Sequence, residues 1–390
     1  MKENFSNILN SIPNLEKDLV QIRNVLLTNL VMIGEIPSAT FMEQARMNFL
    51  VNRFNQYNLL NCSTDEAGNG LGILPGKSGE RNILLVSHLD TEYNEKMNHS
   101  ISIQPNSVSG PGVADNALGL AVLASLPHIL ETLKIEFNSN LILMGSAKSL
   151  GAGNLEGIRF FLKNTNMNIS TGLSVEGVRL GRISRSAIGM AKCEVHYWVP
   201  EGYDWTQFGA FGSIITLNEF INRILEIPIP TRPATSIVFS SIDSGRGFSK
   251  VSTEAELKFE IQSESEEMVE QLLKQINNIA IEIAAKTSSR VLVKELARRK
   301  PGGIDFSHPL VSKTMDILKT MDIKPKFTPS MSELSAFIDA GIPALTIGIS
   351  NLENVDKSVE TVEIEPMYKG LAQLISLLTA IDKGYCDEIR

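Results

Sequence analysis

The spacing of apolar residues divides the chain into helices and buried strands. Residues 14–34 and 40–57 carry apolar side chains at helical spacing, whereas residues 82–86 (NILLV) form a short, continuous apolar run. Such a run is typical of a strand buried on both faces, as in a mostly parallel sheet. The alternation continues with strands predicted at 140–144 and 172–175 and helices predicted at 116–130 and 154–162. This β-α-β order predicts an open α/β sheet with helices on its faces.

The pattern changes near residue 185. Residues 192–199 (KCEVHYWV) alternate like a half-buried strand. Further strands are predicted at 235–241, 253–261 and 290–296, and helices at 208–227 and 264–285. After the Pro-Gly-Gly turn at 301–303 the α/β rhythm resumes, with helices at 309–321, 332–340 and 366–383 and a strand at 344–349. We therefore predict one domain formed by 1–185 and 300–390, interrupted by an inserted α+β domain at 186–299.

Composition narrows the class of protein. With 390 residues, 43% of them hydrophobic, the chain is able to bury a sizeable core, and a net charge of −8 argues against a nucleic-acid or membrane-surface binder. Cys62, Cys193 and Cys386 lie far apart, which excludes a disulfide framework and a thiolate zinc site. The N-terminus lacks the continuous apolar core of a signal peptide, and no run approaches a membrane span. The expected location is the cytoplasm.

Polar residues follow several of the predicted strands. His88 and Asp90 lie two apart after the first buried strand, Asp115 opens a helix after a glycine-rich turn, and Glu176 follows the strand at 172–175. Ligands of open α/β sheets bind beyond the carboxyl ends of the strands. One imidazole and several carboxylates there suit a divalent cation. Alternatively, His88 and Asp90 form a hydrogen-bonded pair, Asp115 caps its helix and Glu176 is a turn residue.

Together these segments resemble a family of dinuclear zinc hydrolases. Residues 87–91 (SHLDT), 112–119 (GVADNALG), 151–157 (GAGNLEG) and 341–348 (GIPALTIG) match successive motifs of the family that includes peptidase T, carboxypeptidase G, aminoacylase, acetylornithine deacetylase and succinyl-diaminopimelate desuccinylase. The resemblance implies a metallopeptidase-like catalytic domain with an inserted lid or dimerisation domain. It implies metal ligands at His88, Asp115 and Glu176, with Asp90 supporting them.

Several groups that the family uses are replaced in this chain. The Glu-Glu pair, which supplies the general base and a metal ligand, falls on Ser149 and Leu150, so no catalytic residue is assigned there. The last metal-binding His corresponds to Asp356, which is equally well explained as part of a solvated charge run. In the lid, Tyr203 takes the position of a His and Lys300 that of a substrate-gripping Arg. Both remain candidate substrate-binding residues.

These replacements leave three functions open. The first is a catalytically impaired relative that holds one metal ion or none and binds a peptide-like or N-acyl amino-acid ligand. The second is an active hydrolase in which zinc or another divalent cation is held by His88, Asp115, Glu176 and Asp356. The third is a structural or interaction protein. The lid is also a candidate homodimer surface, and Lys148 is the candidate cation that would neutralise the clustered carboxylates in the absence of metal.

Overall fold

The structure, a computed structural model, describes residues 4–199, 212–245, 247–248, 251–355 and 357–388. The chain divides into two compact units, one formed by Met1–Ala187 with Gly303–Arg390 and the other by Ile188–Gly302. These borders lie two and three residues beyond the predicted ones at 185 and 299.

An eight-stranded mixed sheet forms the centre of the first unit. Its spatial order is β1-β2-β6-β3-β7-β16-β8-β15. The strands are β1 Leu60–Thr64, β2 Gly70–Leu74, β3 Asn82–His88, β6 Asn140–Ser146, β7 Ile169–Val175, β8 Arg182–Ser184, β15 Lys326–Phe327 and β16 Ala344–Ile347. The central strands β6, β3, β7 and β16 run parallel, whereas β2 is antiparallel to β6 and β8 is antiparallel to β16. The α/β class with an inserted domain is therefore confirmed, and the antiparallel pairs lie toward the edges of the sheet.

Strand β3 shows why the apolar runs form this sheet. Ile83 and Leu85 lie in one hydrophobic cluster, and Leu84 and Val86 lie in a second cluster. Because successive side chains of a strand point to opposite faces, helices covering both faces require an apolar residue at every position.

Helices cover the two faces of this sheet. They are α1 Phe5–Leu19, α2 Arg23–Gly34, α3 Gln44–Gln56, α4 Leu118–Thr132, α5 Glu156–Asn164, α8 Pro309–Thr320, α9 Leu334–Asp339 and α10 Glu365–Asp382. The segment Val113–Thr132 is long and apolar enough to cross a membrane, but 89% of its most apolar window is buried inside the fold. It is therefore accounted for as a core helix.

Short strands make up a second sheet in this unit, and sequence patterning missed them. Its order is β17-β18-β5-β4, formed by β4 Ser102–Ile103, β5 Ser107–Gly110, β17 Leu352–Glu353 and β18 Glu360–Glu363. Strands β4 and β5 lie between the strand predicted at 82–86 and the helix predicted at 116–130, in a segment for which no element was predicted. Strands of two to four residues are too short to show a period.

The inserted unit is a four-stranded antiparallel sheet with two helices. Its order is β11-β12-β10-β13, with β10 Gly189–Trp198, β11 Thr235–Ser244, β12 Glu254–Ser263 and β13 Arg290–Arg299. Helices α6 Ser213–Leu225 and α7 Glu266–Thr287 contribute to one hydrophobic core with this sheet. In β10, Cys193, Val195 and Tyr197 are buried while the residues between them are half-buried, as the alternation predicts. The remaining short strands are β9 Ser186–Ala187 and β14 Gly302–Gly303.

Candidate metal centre

Three of the predicted metal ligands converge beyond the carboxyl ends of the central strands. His88 is the last residue of β3, Glu176 follows β7, and Asp115 lies in the turn that leads into α4. Nε2 of His88 is 3.0 Å from Oδ1 of Asp115 and 3.8 Å from Oε2 of Glu176. The ligand atoms of the three residues all lie within 4.8 Å of one another. His88 and Glu176 are buried, and the Asp115 side chain keeps 33% of its surface exposed.

The turn that carries Asp115 is fastened to the strands on either side of it. The Asn116 amide nitrogen donates hydrogen bonds to the Ser87 hydroxyl at 2.8 Å and to the Val175 carbonyl at 2.9 Å. Glu360 lies on β18 of the second sheet, and its Oε2 accepts hydrogen bonds from the backbone N–H groups of Ala114 at 2.8 Å and Asp115 at 3.1 Å. These contacts fix the position of the Asp115 carboxylate before any ligand binds.

The imidazole of His88 presents one nitrogen to the cluster and uses the other to hold its orientation. Nδ1 lies 2.8 Å from the carbonyl oxygen of Asp90, and because a carbonyl only accepts, Nδ1 carries a proton. Nε2 then faces Asp115 and Glu176. Backbone anchoring of the distal nitrogen is the usual arrangement for a metal-binding histidine.

Burial and neighbouring charges shift the pKa values of His88 and Glu176. Burial acts to lower the pKa of His88, but the charge and hydrogen bond of Asp115 outweigh it and raise that pKa well above its ordinary value. Burial raises the pKa of Glu176 well above the ordinary range, and the charge of Glu333 adds to the rise. Without a cation, the surroundings of the site therefore favour the protonated forms of His88 and Glu176.

Asp90 supports the site from the side of residues 149 and 150. Its Oδ2 accepts hydrogen bonds from the backbone N–H groups of Ser149 and Leu150, at 3.0 and 2.8 Å, and from the Thr40 hydroxyl at 2.8 Å. Burial acts to raise the pKa of Asp90, but the hydrogen bond and charge of His88 outweigh it and lower the pKa. Ser149 and Leu150 thus contribute backbone donors to Asp90.

The expectation that Lys148 neutralises the carboxylates is corrected by the structure. Its ammonium lies 2.7 Å from Oε1 of Glu156, in a pair that is partly exposed. Arg46 on α3 is instead a fully buried cation, and it interacts electrostatically with Asp90. Its guanidinium donates to the carbonyl oxygens of Leu89 at 3.0 Å and Ile36 at 2.8 Å. An arginine among the polar residues of an amphipathic helix gave no sign of this role.

Sequence reasoning also missed two glutamates. Glu333, the residue before α9, is fully buried and accepts a hydrogen bond from the Ser149 hydroxyl at 2.5 Å. Glu360 follows Asp356, for which a solvated charge run was one of two interpretations, yet it is 2% exposed and holds the Asp115 turn. Neither lies in a recognisable motif. Glu333 lies 184 residues further along the chain than its partner Ser149, and Glu360 lies 245 residues further along than its partner Asp115.

Three further site residues were predicted from the sequence. Tyr203 and Asp356 are outside the described residues. Lys300 belongs to the inserted unit, where its ammonium is 3.4 Å from Oε1 of Glu266 and 63% of its side chain is exposed.

The inserted unit carries a second group of residues of metal-binding type. Glu194, His196 and Glu256 bring their ligand atoms within 4.8 Å of one another on β10 and β12. The ammonium of Lys258 lies 3.3 Å from the Glu194 carboxylate and 2.9 Å from that of Glu256. A protein cation thus already neutralises this group.

The donor set at His88 fits a divalent cation. An imidazole nitrogen and two carboxylates are ligands that zinc, manganese and related ions accept. The anchored Nδ1 of His88 leaves Nε2 available, and Ser174 holds Oε1 of Glu176 with a hydrogen bond of 2.5 Å, leaving Oε2 toward His88. His88, Asp115 and Glu176 would hold such an ion.

Comparisons with solved structures identify the fold. The aminopeptidase PepT of Bacillus cereus superposes with a TM-score of 0.70 at 16% identity, covering 93% of this chain and 98% of that one. The dipeptidase Dug1p of Saccharomyces cerevisiae gives 0.76 at 11% identity, with coverages of 97% and 99%. The YxeP protein of Bacillus subtilis, a dinuclear metal-binding peptidase of the M20 family, gives 0.65 at 12% identity, with coverages of 93% and 98%.

At the level of sequence, no family model matches the chain, and no curated protein matches it either. The predicted resemblance is confirmed at the level of the fold, over nearly the whole chain. The chain has the fold of the M20-type metallopeptidases and amidohydrolases.

Proposed function

We propose that the chain binds one divalent cation through His88, Asp115 and Glu176 and hydrolyses an amide bond in a small peptide or N-acyl amino acid. The observation that carries this proposal is the convergence of these three ligand atoms, with Nε2 of His88 directed at the two carboxylates. The fold, shared with aminopeptidase PepT and dipeptidase Dug1p, supports the substrate class.

A cation at this position would polarise the amide carbonyl and activate water for attack. The protein's own residues prepare the site for it. Asp90 keeps the His88 ring in orientation, Ser174 holds Glu176, and Glu360 fixes the turn of Asp115 through two backbone N–H groups. The partial exposure of Asp115 leaves one side of the cluster open to solvent, so substrate has a route of approach.

One observation favours a second candidate function, in which metal and a peptide-like ligand bind without turnover. The segment at 148–150, where the family has its Glu pair, provides no carboxylate. A general base contributes roughly 10²–10⁴ in rate. If nothing in the site replaces it, the protein holds its ligand and hydrolyses it slowly or not at all.

The first experiment measures metal binding and turnover in parallel. Metal-free protein is titrated with Zn²⁺ and Mn²⁺ by calorimetry, and the loaded protein is assayed on dipeptides, tripeptides and N-acyl amino acids. We expect one ion per chain and slow amide hydrolysis. His88→Ala should lose both, whereas His128→Ala, which removes an imidazole from α4 away from the cluster, should retain both.

The outcomes separate the candidate functions. Metal binding without turnover on the whole panel would favour the ligand-binding function and refute the hydrolase. An absence of metal binding in the wild type would refute both, and would leave the structural or interaction role.

Further parts of the proposal concern residues and partners beyond the cluster. We propose that Tyr203 and Lys300 contribute to ligand binding, and that Asp356 adds a ligand to the cation. We further propose a cytoplasmic protein that forms a homodimer through the inserted domain.

A further inference from the structure

Large apolar side chains are exposed on two segments that contact residues 148–150. Phe41 and Met42 are each 57% exposed, and Met331 is 52% exposed. Leu150 is half-buried. Single exposed apolar residues are normal on a protein surface, whereas a group of them indicates a place where another molecule binds. We call these four side chains the apolar collar.

A buried glutamate fastens the segment of Phe41 to residues 148–150. Oε1 of Glu43 accepts hydrogen bonds from the backbone N–H groups of Phe41 and Lys148, both at 2.9 Å. The backbone of Phe41 has a φ of 75°, a left-handed conformation that is rare for a bulky residue. Residues held in such conformations cluster at functional sites, where their surroundings keep them in place.

The segment of Met331 is fastened to the same place. Oε1 of Glu333 accepts a hydrogen bond from the Ser149 hydroxyl at 2.5 Å, and Met331 lies two residues before Glu333. Leu150 follows Ser149 directly. The two contacts made by the glutamates span 105 and 184 residues of sequence, so three distant parts of the chain bring the apolar collar together at residues 148–150.

Asp90 connects the apolar collar to the candidate metal centre. Its Oδ2 accepts hydrogen bonds from the backbone N–H group of Leu150 and from the hydroxyl of Thr40, the neighbour of Phe41, both at 2.8 Å. Its carbonyl oxygen accepts a hydrogen bond of 2.8 Å from Nδ1 of His88. A single residue therefore contacts both the segments that carry the collar and the imidazole of the metal centre.

We propose that the apolar collar selects the substrate by contacting an apolar side chain next to the scissile amide bond, with Phe41 as the specificity-determining residue. This inference rests on the proposed hydrolase function and names its substrate class, which is small peptides with a leucine-like or aromatic residue. Apolar surface beside the metal centre favours such a ligand, because the contact removes apolar groups of both molecules from water. A polar side chain gains much less from the same contact.

The test compares dipeptides that differ only in one apolar or polar residue. Leucylglycine, serylglycine, glycylleucine and glycylserine are assayed with the Zn²⁺- and Mn²⁺-loaded protein, and kcat/KM is measured for each. We expect the leucine dipeptide of one pair to exceed its serine partner by about 10-fold. The pair that shows the preference identifies the side of the scissile bond that the collar contacts.

Variants of Phe41 test its role in this preference. Phe41→Asn removes the ring but keeps a residue that readily adopts a left-handed backbone, so it should retain wild-type stability. We expect kcat/KM for the preferred leucine dipeptide to fall by about 10-fold and that for its serine partner to stay unchanged. Phe41→Leu keeps an apolar side chain and should retain most of the preference. Leu60→Asn, which removes a 53% exposed apolar side chain from the edge strand β1, is the matched control and should behave as wild type.

Each outcome decides the inference. Equal kcat/KM values for leucine and serine dipeptides in the wild type, or an undiminished preference in Phe41→Asn, would overturn it while leaving the proposed hydrolase intact. Equal losses on both kinds of dipeptide in Phe41→Asn would also overturn it, since a purely structural role gives that result.

A metal-loaded wild type that hydrolyses none of the dipeptides would refute the hydrolase. Calorimetric titration with the same four dipeptides then decides the inference without turnover. Tighter binding of a leucine dipeptide that Phe41→Asn abolishes supports it, and the lack of such a preference overturns it.

Discussion

Arg46→Met tests whether a buried arginine, and not Lys148, neutralises the acidic site. Arg46 is fully buried, and its guanidinium donates to the carbonyl oxygens of Leu89 and Ile36 while its charge acts on Asp90. Methionine has a similar length and an apolar body, so the substitution removes the charge and the donors with little change in packing.

The expected loss follows from those contacts. Hydrogen bonds to a charged group are worth about 1.5–3 kcal/mol each, and the Arg46 guanidinium makes two of them to backbone carbonyl oxygens. We expect Arg46→Met to lower the free energy of unfolding by about 3–5 kcal/mol. Lys148→Met removes a partly exposed ion pair with Glu156 and should cost under about 1 kcal/mol.

Urea unfolding of metal-free protein, followed by circular dichroism, measures the two losses. The double variant Arg46→Met/Asp90→Asn should recover part of the loss, because Asp90 would no longer be a buried charge without its cation. A loss below about 1 kcal/mol for Arg46→Met, or equal losses for the two single variants, would refute the assignment of Arg46 as the internal cation.

Two other predictions concern the turn that carries Asp115. Gly119→Ala should lower the free energy of unfolding by about 1–3 kcal/mol and weaken metal binding, since a Cβ there overlaps the Ser87 hydroxyl and the Asn116 side chain. Chemical denaturation measures the stability and calorimetry the metal affinity. An unchanged affinity would argue against a role of this turn in positioning Asp115. Burial raises the pKa of Glu360 to about 7, although the hydrogen bonds that it accepts from two backbone N–H groups act to lower it. The free energy of unfolding of the metal-free protein should therefore fall by up to about 3 kcal/mol as the pH rises from about 4.5 to about 7 and this group must ionise. Glu360→Gln should remove that loss, and parallel stability curves for mutant and wild type between pH 5 and pH 8 would contradict it.

The sequence predicted the fold where the physical signal is local. The run at 82–86 predicted a strand buried on both faces, and its residues do alternate between two hydrophobic clusters. The alternation along β10 predicted the half-buried sheet of the inserted unit. His88 and Glu176 were identified from their places after predicted strands and Asp115 from its place at a helix start, and parallel strands bring their carboxyl ends to one edge of a sheet.

Only the tertiary structure decided what surrounds these motif residues. Arg46, Glu333 and Glu360 belong to segments whose sequences look like an ordinary helix surface, a helix start and a charged loop. Their roles arise from burial and from contacts with distant parts of the chain, which set the cost of a charge and the partner that relieves it. Lys148, next to Ser149 and Leu150 in sequence, pairs with Glu156 and not with the clustered carboxylates, because the direction of a side chain depends on packing and not on its neighbours in the chain.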